Sequence, residues 1–135
     1  MERRTRQHQA IFDVMTTAER PLLAQEILAL ASEAVPQLSI ATVYRNLKAL
    51  QDEGTIKPVV LPGQNPRYEL ASYGHHHHFQ CRRCGRVFDF KACPGNLEHL
   101  APTGFTVEEH EIILYGQCRD CVVTKADHSR PLAGC

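Results

Sequence analysis

The stretch His75-His-His-His-Phe-Gln-Cys-Arg-Arg-Cys84 places four consecutive histidines directly before a Cys-x-x-Cys pair. A second pair with the same two-residue gap, Cys118-Arg-Asp-Cys121, follows later in the chain. Two such pairs supply four thiolates, the ligand set of a closed tetrahedral zinc site with no position left open for a reaction. Buried free thiols or a redox pair are the alternative interpretations. The repeated gap favours a structural zinc ion on Cys81, Cys84, Cys118 and Cys121. Cys135, outside the pattern, is expected to be an inert thiol. Cys93 is also expected to be inert, with a thiol that ionises more readily at a helix N-terminus as the alternative.

The histidine run predicts a second kind of metal site. Side chains alternate between the two faces of an extended strand. The run therefore divides into two facing pairs, His76 with His78 and His75 with His77. Carboxylates lie on both sides of the run, and a mixed nitrogen and oxygen set suits Fe²⁺, Mn²⁺ or Zn²⁺. The candidate ligands of this regulatory site are Glu69, His76, His78 and Asp89. A solvated polar strand with ordinary surface acids is the alternative interpretation.

Composition limits the classes of protein that the chain can represent. Its 135 residues hold no long apolar run and no visible signal peptide, so we expect no membrane span and a reducing, cytoplasmic location. Cysteine pairs in such a compartment favour metal over disulfide. The net charge is zero, and residues 1–72 and 73–135 are each balanced. A DNA-binding surface must therefore come from the local arrangement of charges and not from an overall basic character.

Apolar periodicity in the first half predicts three helices. The first has Ile11, Val14, Met15 and Ala18 on one face, and the second has Leu23, Ile27 and Leu30. Ser39 is the expected N-cap of the third helix, and Gly54 ends it. The inward face of that helix is predicted to carry Ile40, Val43, Leu47 and Leu50.

Strand-like runs follow the helices. Ile56–Leu61 and Arg67–Leu70 flank a turn-forming loop, which predicts a hairpin, and Pro58 marks an edge strand. Later runs at Phe79–Cys81, Arg86–Phe90 and Phe105–Tyr115 also predict strands. A short helix is expected near Pro94, with Leu97 and Leu100 inward. The predicted class is α+β, with a winged helix-turn-helix over residues 1–72, a hinge at Ala71–Gly74, a small α/β domain over 73–135 and a flexible tail from about residue 122.

The third helix predicts a DNA-reading surface. Its exposed face is expected to carry Thr42, Tyr44, Arg45, Asn46 and Lys48, and Ser39 stands at its start. Arginine can donate to guanine or to phosphate, and tyrosine can pack on a thymine methyl group. A basic arm for phosphate or the minor groove is formed by Arg3, Arg4 and Arg6. A solvated helix face and a charged terminus are the alternative interpretations.

Three stretches together resemble the ferric uptake regulator (Fur) family. They are Leu38-Ser-Ile-Ala-Thr-Val-Tyr-Arg-Asn-Leu47, Arg67-Tyr-Glu-Leu70 leading to His75-His-His-His-Phe-Gln-Cys-Arg-Arg-Cys-Gly85, and His110 through Leu114-Tyr-Gly-Gln-Cys118-Arg-Asp-Cys121. Their order and spacing are similar to the family's from about residue 5 to 122. The resemblance implies a homodimeric, metal-responsive repressor that binds an A/T-rich inverted repeat in double-stranded DNA and regulates metal uptake or homeostasis.

The resemblance also implies roles for individual residues. The four paired cysteines match structural zinc ligands, and Glu69, His76, His78 and Asp89 match the regulatory site. A further site at the other face is matched by His75, His77 and His110, with Glu98 as a weak candidate for its acidic ligand. Tyr44 and Arg45 match the base-reading part of the recognition helix. The chain departs from many members between Glu19 and Leu23, where no histidine precedes the second helix.

Other functions predict different features. A peroxide sensor of the same family, in which peroxide reacts at bound Fe²⁺ and oxidises a ligand histidine, is the nearest alternative. Asp89 is the residue type seen in such members. A zinc hydrolase is disfavoured because His110-Glu111-Ile-Ile-Leu114 lacks the second histidine of His-Glu-x-x-His. We therefore expect no enzymatic activity. A zinc-stapled interaction module without DNA binding is the remaining alternative.

Overall fold

The computed structural model describes residues 2–71 and 74–122, with side chains described from residue 6 onward. The chain divides into two compact units, Met1–His76 and His77–Cys135. The mixed helix and sheet content agrees with the predicted α+β class. Several predicted features lie outside the described residues: the side chains of Arg3 and Arg4, the centre of the hinge, the tail after residue 122 and Cys135.

The first unit begins with three helices, α1 (Glu2–Ala18), α2 (Ala24–Ala31) and α3 (Ile40–Asp52). Their apolar faces form one core, in which Ile11, Ile27 and Val43 are fully buried. Three positions of the predicted apolar faces are wrong. Leu23 precedes α2 and is its N-cap residue. Leu30 and Ile40 are 41% and 37% exposed, because α2 buries Ala24, Ile27 and Ala31 and α3 buries the face that holds Val43, Leu47 and Leu50.

The start of α3 follows from a single side chain. Ser39 has extended backbone angles, and its Oγ accepts the backbone N–H of Thr42 at 3.2 Å. This N-cap satisfies one of the donors that every helix start leaves without an intrahelical partner. Thr42 was predicted on the exposed face but is only 8% exposed. Its hydroxyl lies inside the cap, where it accepts from Ser39 Oγ at 3.0 Å.

A three-stranded antiparallel sheet completes the first unit. Its strands are β1 (Leu22–Leu23), β2 (Ile56–Val59) and β3 (Arg67–Leu70), in the order β1-β3-β2. The predicted hairpin is formed by β2 and β3, although β2 ends two residues earlier than expected. Pro58 lies on β2, an edge strand of this sheet, as its missing N–H requires. The two-residue β1 was not predicted because it is too short to show a period.

The second unit is built on another three-stranded sheet. Strands β4 (His77–Cys81), β5 (Val87–Phe90) and β6 (Ile113–Gly116) have the order β5-β4-β6, with β4 antiparallel to β5 and parallel to β6. A short helix, α4 (Arg119–Val122), follows. Cys81 ends β4, while Cys118 directly precedes α4 and Cys121 lies within it. The topology therefore gathers the cysteine pairs at one end of the sheet.

The segment between β5 and β6 departs from the sequence prediction. The strand expected over Phe105–Tyr115 is limited to Ile113–Gly116, and the helix expected near Pro94 is a single 3₁₀ turn, Glu98–Leu100. Leu100, expected inward, is 70% exposed, and Phe105 is 65% exposed. These apolar residues lie on the surface of the unit, so their spacing does not correspond to a buried face of a strand or helix.

Candidate metal centres

The four paired cysteines converge within the second unit. The sulfur atoms of Cys81 and Cys121 are 3.5 Å apart, and those of Cys84 and Cys118 are 3.8 Å apart. All four sulfurs lie within 4.8 Å of one another. A disulfide would bring two sulfurs to about 2 Å. Four sulfurs each about 2.3 Å from one central zinc would be about 3.8 Å apart, so the donor set fits tetrahedral zinc.

Hydrogen bonds distribute charge unevenly over these sulfurs. Burial alone would raise the pKa of the Cys81 thiol, but backbone N–H groups, including that of Cys84 at 3.3 Å, lower its pKa to about 6. The neighbouring Cys81 sulfur raises the pKa of Cys121 to about 12. Four adjacent thiols thus resist losing all their protons by themselves. A divalent cation supplies the missing positive charge and makes four thiolates compatible.

An arginine lies against this cysteine cluster. Arg86 Nε donates to Cys84 Sγ at 3.3 Å, and Arg86 Nη2 lies 3.9 Å from Cys118 Sγ. The same Nη2 is 3.1 Å from an Asp120 carboxylate oxygen. The contact with Arg86 lowers the pKa of the Cys84 thiol. Arg86 was not singled out from the sequence, since no spacing rule connects it to the second cysteine pair.

In the first unit, Glu69 and His76 form a close pair. Glu69 lies on β3 with a fully buried side chain, and its Oε2 is 2.7 Å from His76 Nε2. The Nδ1 of His76 donates to the Gly74 carbonyl oxygen at 2.6 Å. Lys57 Nζ, across the hairpin, is 3.7 Å from the same Glu69 oxygen. The buried carboxylate therefore has cationic or donor groups on two sides.

In the second unit, His78 and Asp89 form another such pair. They face each other across the antiparallel strands β4 and β5, with His78 Nε2 3.2 Å from Asp89 Oδ1. The two side chains are 14% and 13% exposed. Each of the four predicted regulatory ligands is thus one half of a histidine–carboxylate pair. The alternation of the run puts His77 on the opposite face of β4, as its sequence predicts.

The cluster around His77 differs from the predicted additional site. His77 is 1% exposed and stacks on His110 with ring centroids 5.1 Å apart, while Cys93 Sγ is 3.2 Å from His110 Nε2. These three residues offer ligand atoms close enough to share an ion. Glu98, the predicted acidic partner, lies in the 3₁₀ turn and is not one of the grouped residues. Cys93, which was not among the predicted ligands of this site, lies beside His110.

His77 and His76 differ in the hydrogen bond that each makes through Nδ1. The backbone N–H of Ile112 donates to His77 Nδ1 at 3.2 Å. A metal-binding histidine usually donates its second N–H to an acceptor. His76 has this arrangement, because its Nδ1 donates to the Gly74 carbonyl. The Nδ1 of His77 instead accepts a hydrogen bond. In the described conformation His77 links β4 to the segment before β6.

The predicted DNA-reading residues lie at and near the start of α3. Tyr44 is 48% exposed, and Arg45 is also exposed, with its Nη2 donating to Thr42 Oγ1 at 2.9 Å. Asn46, predicted on the exposed face but not as a DNA contact, is half-buried. Its side chain donates to the Thr42 carbonyl and contacts His8 of α1 at 3.2 Å. A groove of about 480 Å³ runs along this surface. Arg6 is exposed on α1.

The sequence profile described as the ferric uptake regulator family matches residues 2–115 of this chain. The chain belongs to the ferric uptake regulator family. It is 33% identical over 120 residues to the peroxide-responsive repressor PerR of Staphylococcus aureus strain USA300, covering 87% of this chain and 80% of that one. The resemblance inferred from the three stretches is thereby confirmed.

Solved structures agree with this membership. The Helicobacter pylori ferric uptake regulator, whose structure is described as revealing three functional metal-binding sites, matches with a TM-score of 0.67 and 26% identity, covering 86% of this chain and 79% of that one. A zinc-bound manganese uptake regulator matches with a TM-score of 0.74 and 28% identity, covering 83% and 87%.

Membership in the ferric uptake regulator family settles the broad class. The chain is a metal-responsive transcription regulator and not an enzyme, as predicted, and it carries Cys and His clusters suited to metals. Members of the family bind DNA and act as dimers. Within residues 2–71 and 74–122, no helix is both long and apolar enough to cross a membrane.

Proposed function

We propose that this chain is a repressor whose DNA affinity is controlled by one regulatory metal ion bound by Glu69, His76, His78 and Asp89. The observation that carries the proposal is the arrangement of His76. Its Nδ1 donates to a carbonyl oxygen, and its Nε2 lies 2.7 Å from an oxygen of the buried Glu69 carboxylate. A divalent cation bound between them would have one nitrogen and one oxygen ligand already oriented.

The second histidine–carboxylate pair completes the proposed site. His76 and His78 are separated by one residue along the chain, and we propose that one ion takes ligands from both histidine–carboxylate pairs. Nitrogen and oxygen ligands without sulfur suit Fe²⁺, Mn²⁺ or Zn²⁺. The proposed zinc of the four cysteines is a separate, permanent ion, because its closed sulfur set holds zinc independently of the signal.

Binding at this site would connect the DNA-binding unit to the rest of the protein. We propose that residues 1–72 act as a winged helix-turn-helix, with α3 in the major groove and β2 and β3 as the wing. A homodimer would then read an A/T-rich inverted repeat. Two recognition helices must be held about 34 Å apart to fit successive major grooves. A coupling of about 2–3 kcal/mol would make DNA binding roughly 30- to 150-fold tighter with metal.

The proposal is tested by fluorescence anisotropy on an A/T-rich inverted-repeat duplex. The protein keeps its four-cysteine zinc after mild chelation, and Fe²⁺, Mn²⁺ and Zn²⁺ are titrated separately without oxygen. We expect one of them to tighten DNA binding by the factor above. Equal affinity with and without every metal would overturn the metal switch.

Neighbouring histidines provide a matched pair of variants for the same assay. His76→Gln should remove the metal response, because it deletes the prepared Nε2 ligand. His77→Gln should retain the response, since His77 accepts a backbone N–H and is not prepared as a ligand. A lost response in His77→Gln with its fold intact would contradict the assignment of these roles.

Peroxide sensing is the second candidate signal. The 33% identity to a peroxide-responsive repressor and the presence of Asp89 favour it. In that case the Fe²⁺-loaded protein should lose DNA binding on treatment with hydrogen peroxide, while the Mn²⁺-loaded protein keeps it. Loss in both forms would instead point to oxidation of a group outside the regulatory site.

Ser39 permits a test of the proposed recognition helix. Ser39→Ala should lower the free energy of unfolding by about 1 kcal/mol, because the Thr42 N–H loses its cap. Ser39→Asp should keep the cap and the stability but weaken DNA binding, since its carboxylate would meet phosphate. Urea unfolding and DNA anisotropy measure the two effects separately. Unchanged DNA affinity in Ser39→Asp would place the start of α3 away from the duplex.

A further inference from the structure

We propose that Arg86 is a positioning residue of the four-cysteine centre, and that its ion pair with Asp120 slows the loss of zinc. The inference rests on the proposed structural zinc. Arg86 contacts one sulfur from each cysteine pair, Cys84 at 3.3 Å and Cys118 at 3.9 Å.

The position of Asp120 fixes that of Arg86. Asp120 lies between the two cysteines of the second pair, and its carboxylate is 3.1 Å from Arg86 Nη2. Arg86 in turn comes two residues after Cys84. The ion pair therefore joins the chain segments that carry the two cysteine pairs, independently of any ion between the sulfurs.

Charge explains why a guanidinium is useful at this place. Zinc with four thiolates leaves a net charge of about −2 on the centre. N–H donors beside metal-bound groups orient them and tune their electron density. The guanidinium is permanently charged and planar, so it can donate to a sulfur and to a carboxylate at once. Thiolates held in this way are less available to a competing proton, chelator or electrophile.

Exposure argues against a simple folding role for the pair. The side chains of Arg86 and Asp120 are 34% and 73% exposed. Exposed ion pairs contribute little to folding by themselves. We therefore expect any fall in the unfolding temperature of the variants to come from weaker zinc binding, and not from loss of the ion pair's own contribution to folding.

Zinc transfer to an excess of a chromogenic chelator tests the inference. Arg86→Ala should release zinc about 10- to 100-fold faster or bind it that much more weakly, the usual effect of removing a partner of a metal ligand. Asp120→Asn should change release in the same direction but less. Arg86→Lys should release zinc at a rate between those of the parent protein and Arg86→Ala. Lysine keeps the positive charge but lacks the planar set of N–H donors that reaches both a sulfur and a carboxylate. Asp120→Asn keeps the test valid if Arg86→Ala fails to fold.

Arg82→Ala is the matched control. It removes the same charge from the same loop, but the Arg82 guanidinium lies over the Tyr115 ring, 4.8 Å from its centroid. Its zinc release should match that of the parent protein. A spectroscopic measurement separates positioning from general loosening: with Co²⁺ in the four-cysteine centre, Arg86→Ala should shift the energy of the thiolate-to-cobalt charge-transfer band, and Arg82→Ala should not.

The outcomes distinguish this inference from the proposed zinc itself. Equal release rates and an unshifted band in Arg86→Ala would overturn the role of Arg86 while leaving the zinc assignment intact. Equal acceleration in Arg82→Ala would also overturn it, because loss of charge anywhere on the loop would then suffice. A parent protein that carries no zinc would remove the four-cysteine centre, whatever Arg86 does.

Discussion

Cys81→Ser should unfold the second unit while the first unit remains folded. Cys81 is fully buried, and its sulfur accepts backbone N–H groups of Arg83 and Cys84. A serine hydroxyl at this position is a poor zinc ligand. Structural zinc supplies on the order of 10 kcal/mol or more to folding, which is comparable to the whole stability of a small domain. No rearrangement of the small β4–β6 sheet can offset such a loss.

Zinc content, circular dichroism and limited proteolysis would measure this effect. We expect less than one bound zinc per chain, rapid cleavage after residue 77, and retained helical signal from α1 to α3, whose core is made only of first-unit residues. Cys93→Ser is the control, because Cys93 lies in the same unit but outside the four-sulfur cluster. A Cys81→Ser protein that keeps both its zinc and a resistant second unit would contradict the assigned role of the cluster.

Glu69→Gln should abolish the metal-dependent gain in DNA affinity, a loss of roughly 30- to 150-fold at saturating metal. Glutamine has nearly the same shape, so the core around this buried side chain should persist. It lacks the negative charge that would attract a cation and that holds His76 Nε2 at 2.7 Å. The four-cysteine zinc should remain bound, because its ligands all lie in the second unit.

The measurement is the anisotropy titration used for the parent protein, with zinc content determined in parallel. A Glu98→Gln variant removes the same charge from an exposed position in the 3₁₀ turn and should respond to metal normally. If metal increased the DNA affinity of Glu69→Gln as much as that of the parent protein, Glu69 would not be a ligand of the regulatory metal. The metal would then have to act through another site.

The sequence predicted those parts of the molecule that are encoded by local spacing. The cap at Ser39, the buried face of α3 and the hairpin of β2 and β3 depend on residues near one another in the chain. The alternation of His76 and His78 with His77 follows from strand geometry alone. The cysteine pairs could likewise be predicted as zinc ligands from the two-residue gap within each pair.

The features that the sequence did not predict arise from contacts between distant segments. Arg86 meets Asp120 across 34 residues, and Cys93 meets His110 across 17. No periodicity connects such positions. The strand expected over Phe105–Tyr115 was too long because apolar spacing there reflects surface residues such as Phe105 and Leu114. Thr42 was misplaced because its hydroxyl is drawn into the helix cap, which a hydrophobicity pattern cannot register.

The parallel pairing of β4 with β6 has a consequence for how the protein is made. Its partners His78 and Ile113 are far apart in sequence, and the sulfurs of Cys81 and Cys121 meet across 40 residues. Contacts of such long range form late and slowly, because closing the loop lowers the entropy of the chain before the contacts contribute any stabilisation. During synthesis the second unit cannot close until Cys121 has emerged. The supply of zinc to the newly synthesised chain would then limit the rate at which folded regulator accumulates. Zinc would thus control the amount of the protein before any regulatory metal binds to it.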